Sequence, residues 1–345
     1  DHDGFMDCAE LVGHFEKAAV AINAPVMTET AVLSVAQHWS GYLVQTDQGA
    51  ISCKSVVLAT GATARAKLPA FADIFPSGIR QLTPLDYKNP ADLGQGKVIV
   101  VGASSSGVQI AREIQLSGRE VLLSVGEHVR VPRTYRDADI LMWMELTGRW
   151  SESYAAVDDL DRHRRLPSLQ LAAGTADEAI DPNVLQDLGI DLLGRRAGEN
   201  GSTAYFSGSL ANHCALADLK MNRLLQGFDD WVTAAGLGDC IDPTDRPAPT
   251  RVPAAPRLMM DLVAEGVGTI IWATGYCPDF RYLDLPVFDG KGRIRHDGGV
   301  IGRGLCVMGL PFLRRRKSTF IDGAEDDARD LASHLAASLG QSHAA

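Results

Sequence analysis

The sequence predicts an α/β fold with a dinucleotide-type βαβ unit bracketed by two copies of a short strand motif. Two observations carry this reading. A short apolar strand, Lys97–Val101, runs into a Gly/Ser-rich turn and a helix. In addition, the pattern V-V-L-A-T-G at Val56–Gly61 returns as I-I-W-A-T-G at Ile270–Gly275, on the other side of that unit.

The 345 residues suffice for two domains with cores of their own. Hydrophobic residues make up 46% and charged residues 22%, as in globular proteins generally. A net charge of −10 repels phosphate backbones, which argues against nucleic acid as a partner. No run reaches the ~20 apolar residues of a membrane span, and no signal segment is evident. None of the six cysteines forms a C-x-x-C pair. A redox dithiol or zinc knuckle is therefore not indicated, and scattered cysteines suit a reducing cytoplasm. The first residue is Asp1, not Met, so the chain reads as a truncated or processed piece.

Asp7 to Ala21 has the spacing of an amphipathic helix. Ala31–Ala36, Tyr42–Thr46 and Ile51–Ser52 alternate as an antiparallel meander, and Ser55–Leu58 is an apolar strand. A connector with prolines spans Pro69 to Pro90. The βαβ unit follows: strand Lys97–Val101, helix Gly107–Leu116, strand Glu120–Ser124. Helices are expected over Asp137–Thr147 and Ala215–Ala234, with no elements assigned between them. Met221, Leu224, Leu225 and Phe228 fall on one face of the second and read as core. Proline-rich Asp242–Pro256 reads as a linker. Strand Thr269–Trp272 and a helix near Ala324–Ala337 close the chain. Arg314, Arg315, Arg316 and Lys317 read as a solvated basic loop.

The turn has the pattern Gly102-x-Ser104-x-x-Gly107, with Ser105 and Ser106 opening the helix. Gly102 permits the tight turn, small Ser104 allows close approach of a pyrophosphate, and Gly107 lets helix pack on strand. Free N–H groups at the helix start, aided by its dipole, favour the phosphates. The second strand ends in Ser124, without the acid that binds a ribose diol in NAD sites. Arg130 and Arg133 nearby suit a 2′-phosphate and hence NADPH, while Glu127 keeps NADH open. Small residues after each paired strand, Thr60-Gly61 and Thr274-Gly275, let the backbone pass close to a bulky ligand. Five of the histidines, His2, His14, His38, His213 and His296, show no ligand spacing. No Gly-x-Ser-x-Gly elbow supplies a hydrolase nucleophile.

These motifs together resemble the two-dinucleotide-binding flavoproteins, in particular the flavin-containing monooxygenases. V-V-L-A-T-G-A and I-I-W-A-T-G-Y-C-P-D, with Tyr276 and Asp279, match the family's two domain crossings. V-I-V-V-G-A-S-S-S-G matches its NADPH turn. G-L-C-V-M-G-L-P-F and S-T-F-I-D-G-A match the return to the flavin. The resemblance implies an α/β fold with a Rossmann-type NADPH-binding domain at 81–265, inserted in a partial FAD-binding domain at 1–80 and 266–345. Its cofactors would be FAD and NADPH, and its further partners a small organic substrate and O2. Thr60, Gly61, Thr274, Gly275, Asp322 and Gly323 would serve cofactor binding, with Asp322 also a candidate N-cap. The implied activity is hydride transfer from NADPH to FAD, then oxygenation through a flavin C4a-peroxide.

Two departures stand out. The family's opening strand and glycine turn for the FAD pyrophosphate do not precede Asp1. Its Phe-x-Gly-x-x-x-His-x-x-x-Tyr hallmark is matched only by Phe75, Gly78 and Tyr87, with shifts and no histidine. The alternatives are a flavin-dependent reductase or dehydrogenase, and a non-catalytic nucleotide-binding fragment. No residue is assigned to acid–base catalysis.

Overall fold

The computed structural model describes residues 6–72, 76, 78–171 and 180–340. The chain forms two compact units. The first comprises Asp1–Ala64, Trp150–Leu160 and Pro278–Ala345; the other, the inserted unit, comprises Arg65–Arg149 and Asp161–Cys277. Residues 65–80 and 266–277 thus belong to the inserted unit, outside the 81–265 expected for it. The reason is strand pairing: Arg80–Leu82 and Val267–Trp272 are neighbours in one parallel sheet.

In the first unit, helix Cys8–Ala21 starts at Asp7 in a reciprocal cap. Glu10 N donates to Asp7 Oδ1 (2.8 Å) and Asp7 N to Glu10 Oε2 (2.9 Å). The expected meander forms as Val32–His38, Gly41–Thr46 and Gly49–Cys53, all antiparallel. Leu283–Asp284 adds to it in parallel. A second sheet pairs Val56–Leu58 in parallel with Leu305–Val307, which is antiparallel to Val300–Gly302. Val35, Tyr42, Leu58, Leu305, Val307 and Leu313 fill the core. Helix Ile321–Gly340 ends the described chain.

The inserted unit is built on five parallel strands in the order Asp191–Leu193, Val121–Ser124, Lys97–Val101, Val267–Trp272, Arg80–Leu82. Its central strands are apolar runs because both faces are covered. Side chains alternate between the faces. Val98, Val100 and Leu123 pack with Val108, Ala111 and Ile114 of helix Ser105–Leu116. Ile99, Val101 and Leu122 pack with Ala204, Phe206 and Met260. The last three come from an antiparallel sheet of Arg196–Asn200, Thr203–Phe206 and Met259–Asp261.

Three elements differ from expectation. Helix Ile140–Leu146 replaces Asp137–Thr147. Arg136 and Asp137 adopt φ of 50° and 54° and turn a small hairpin, Thr134–Tyr135 with Ala138–Asp139. Helix Leu210–Ala234 begins five residues early and buries Met221, Leu225 and Phe228. The 242–256 segment has no helix or strand, yet it is tied down: Thr250 Oγ1 donates to Asp218 (2.9 Å) and Asn183 Nδ2 to Pro249 O (3.0 Å).

Candidate functional site

The Gly102 turn lies at the carboxyl ends of parallel strands, where open α/β sheets bind ligands. Gly102 has φ of 111° and donates its N–H to Ser124 O (2.9 Å). A Cβ on Gly102 would run into the Ala273 carbonyl, and one on Gly107 into the Gly102 carbonyl, 3.3 Å from Ala273 Cβ. Strand, helix and the second A-T-G end therefore meet at backbone distance. Ser104 is the N-cap in extended conformation, but its side chain makes no capping bond. The first-turn N–H groups are thus unspent by a cap, in contrast to the side-chain cap that Asp181 gives helix Pro182–Asp187.

The serines around the turn are positioned by side chains and backbone. Ser105 Oγ donates to Leu171 O (3.1 Å), and Ser106 Oγ lies 3.2 Å from Tyr276 Oη. Gln170, missed at the sequence level, is 1% exposed and donates through Nε2 to Ala103 O (2.5 Å). Its Oε1 is buried without a partner among the described residues.

The two A-T-G copies lie in different units. Thr274 Oγ1 donates to Lys67 O (2.5 Å) and Lys67 N to Gly275 O (2.9 Å), flanking the two-stranded antiparallel sheet of Arg65–Ala66 and Tyr276–Cys277 in the inserted unit. In the other unit, Thr60 Oγ1 lies 3.3 Å from Tyr282 Oη, and Gly61 (φ 74°) faces Gly309.

Residues 5–144 match the pattern of the pyridine nucleotide-disulphide oxidoreductase family. An uncharacterized CzcO-like oxidoreductase of Geobacillus kaustophilus (strain HTA426) is 26% identical over 96% of this chain and 78% of that protein. The uncharacterized CzcO oxidoreductase of Bacillus subtilis (strain 168) is 23% identical over 96% and 79%. The flavin-containing monooxygenase structure from Stenotrophomonas maltophilia aligns over 95% of this chain and 76% of that one, with TM-score 0.59 and 15% identity. The chain is an oxidoreductase with a two-dinucleotide-binding flavoprotein fold. The resemblance read from its motifs is borne out at that level.

In this oxidoreductase the two arginines expected at a 2′-phosphate are engaged elsewhere. Arg130, 2% exposed, donates to Asp181 through Nε (3.1 Å) and Nη2 (2.6 Å), and through Nη1 to Asp218 (2.7 Å) and Ala248 O (2.8 Å). Arg133, 7% exposed, pairs with Asp139 at 2.5 Å. Both hold the segments after the second strand together. Glu127 accepts from Lys220 Nζ at 3.0 Å, and that bond holds its carboxyl below the usual range. Beside it, His128 is buried, with Nδ1 2.9 Å from Gly126 O. Burial pushes its pKa down.

The basic run is not a solvated loop. Arg314 and Arg315 pair with Asp330, Arg315 also with Asp327, Arg316 with Glu152 and Lys317 with Asp322. The sequence lacked a signal for this because the partners come from a helix and, for Arg316, from a residue 164 positions away. Asp322 is not the N-cap but sits in the first helical turn, its carboxylate 2.7 Å from Lys317 Nζ. Gly323 packs against the Lys317 carbonyl, where a Cβ would collide. Of the hallmark residues, Phe75 lies outside the described residues and Gly78 is in a turn. Tyr87 donates to Glu113 (2.9 Å), and burial raises its pKa.

Among the described residues, no helix is long and apolar enough to cross a membrane. The inserted unit fits a dinucleotide: the helix start is uncapped, the glycines admit only backbone, and the Gln170 acceptor is unspent.

Proposed function

We propose that the chain is an FAD- and NADPH-dependent monooxygenase acting on a small organic substrate with O2 in the cytoplasm. The observation that carries this reading is the uncapped helix start behind Gly102, set against the Ala273–Gly275 strand end. Gly102, Ser104, Ser105, Ser106 and Gly107 would hold the NADPH pyrophosphate, their N–H groups meeting its charge. Thr274 and Gly275 would flank it. Thr60, Gly61, Asp322 and Gly323 would meet the flavin. When bound, the flavin supplies hydride acceptance from the reduced nicotinamide and reaction with oxygen. The protein's part is to bind and orient these groups. Lys317 Nζ, 2.7 Å from the Asp322 carboxylate, fixes its position in the first turn of the last helix.

A second reading, flavin reduction without oxygenation, is favoured by the missing hallmark histidine. The commitment of Tyr87 to Glu113 adds to it. The test is stoichiometry with added FAD: NADPH consumed, O2 consumed, and oxygenated product against hydrogen peroxide. Equal NADPH, O2 and product supports oxygenation. NADPH oxidation with peroxide alone, across a panel of sulfides, amines and ketones, overturns it in favour of the second reading.

A further inference from the structure

Strand Asp191–Leu193 pairs in parallel with Val121–Ser124, with Leu193 opposite Ser124. Two residues beyond both strand ends, Arg195 and Gly126 are therefore side by side. The Arg195 methylenes cover Gly126: a Cβ there would lie 3.6 Å from Cγ and 3.8 Å from Cδ. The Arg195 backbone is fixed by Ser207 N, which donates to its carbonyl at 2.8 Å.

The end of the second strand is where a bound dinucleotide places its adenosine ribose. The groups there are almost all spent. Ser124 Oγ donates to Gly194 O (2.9 Å) and is 1% exposed. Gly126 has no side chain. Glu127 is paired with Lys220, and Arg130 and Arg133 are buried on carboxylates. Arg195 is exposed, and its guanidinium has no hydrogen bond or ion pair among the described residues. Near Glu127, Lys220, Arg162 and His213 add positive or ionisable groups.

We propose that Arg195 is the specificity-determining residue for NADPH, its guanidinium meeting the 2′-phosphate of the adenosine ribose. The planar fork suits a phosphate and stays charged at any working pH. The absence of a carboxylate side chain at Gly126 removes the group that would repel that phosphate. This assignment rests on the reading that the Gly102 turn binds a dinucleotide.

The test is calorimetric titration of wild type, Arg195→Met and Arg195→Lys with NADPH, NADH, adenosine 2′,5′-bisphosphate and AMP. Methionine keeps the alkyl cover over Gly126 while removing the charge. Arg195→Met is expected to weaken NADPH and the bisphosphate about tenfold or more, the scale of one charge-assisted contact, and to leave NADH and AMP unchanged. Arg195→Lys should recover part of the loss, and the wild-type preference should shrink at high salt. Equal loss for phosphorylated and unphosphorylated ligands, or no loss, overturns the role of Arg195 while the dinucleotide site stands. If wild type binds none of the four ligands, the site itself is refuted, and Arg195 with it.

Discussion

Ser106 and Tyr276 hold their hydroxyl oxygens 3.2 Å apart across a sequence separation of 170 residues. This contact ties the first turn of helix Ser105–Leu116 to the residue after the second A-T-G. Tyr276→Phe and Ser106→Ala should each lower stability by about 1 kcal/mol. The double variant should cost less than the sum of the two, because both singles remove the same bond. Urea denaturation of the four proteins measures this; full additivity would show the two hydroxyls to be uncoupled.

The glycines of the turn are more constrained than the pattern alone implies. With φ of 111° and the Ala273 backbone in the way, Gly102→Ala should be destabilising, not silent, by roughly 1–3 kcal/mol. Gly107→Val should cost more, since its Cβ meets the Gly102 carbonyl. At a temperature where Gly102→Ala is still folded, the rise in melting midpoint with saturating NADPH should be lost. A wild-type rise would place the dinucleotide elsewhere.

Arg130→Met should destabilise by about 3–5 kcal/mol, because it leaves Asp181 and Asp218 as uncompensated, mostly buried carboxylates. Its NADPH-to-NADH affinity ratio should match wild type. A selective loss of NADPH affinity in the folded variant would return Arg130 to the 2′-phosphate.

His128 gives a pH dependence whose sign follows from its burial. Its folded pKa is depressed, chiefly by desolvation, with Gly126 O and Asp218 opposing and His213 and Arg130 adding. The unfolded chain, titrating near ~6.5, therefore binds the proton more readily. Stability from neutral His128 is full above that value and falls as pH drops from it toward the depressed folded pKa. Urea midpoints at about pH 7.5 and 5.5 should differ less in His128→Gln than in wild type. Identical acid losses would remove His128 as the cause.

Arg315 and Asp327 form a one-sided buried pair, the carboxylate 0% and the guanidinium 26% exposed, at 2.8 Å. Arg315→Met should cost about 3 kcal/mol by stranding Asp327. Adding Asp327→Leu should recover much of that loss, since an apolar pair has no charge to desolvate. A double variant no more stable than Arg315→Met would show that charge burial is not the source of the penalty.

The βαβ unit, the meander and the turn were legible because their signals are local. Apolar period, turn glycines and a second strand fall within one stretch, Lys97 to Ser124. The A-T-G echo and the flavoprotein resemblance were legible as short motifs. Strand Asp191–Leu193 was not: three residues carry no period, and only pairing with Val121–Ser124 makes them a strand. The roles of the arginines were also undetermined by sequence. Charge near a strand end favours a phosphate in principle. Whether a guanidinium faces solvent depends on carboxylates such as Asp218, 88 residues from Arg130. Sequence therefore determined the dinucleotide turn and the kind of fold around it. Tertiary structure decided which cations are spent on buried partners and which, like Arg195, are left for a ligand, because ion pairing is set by distance in space.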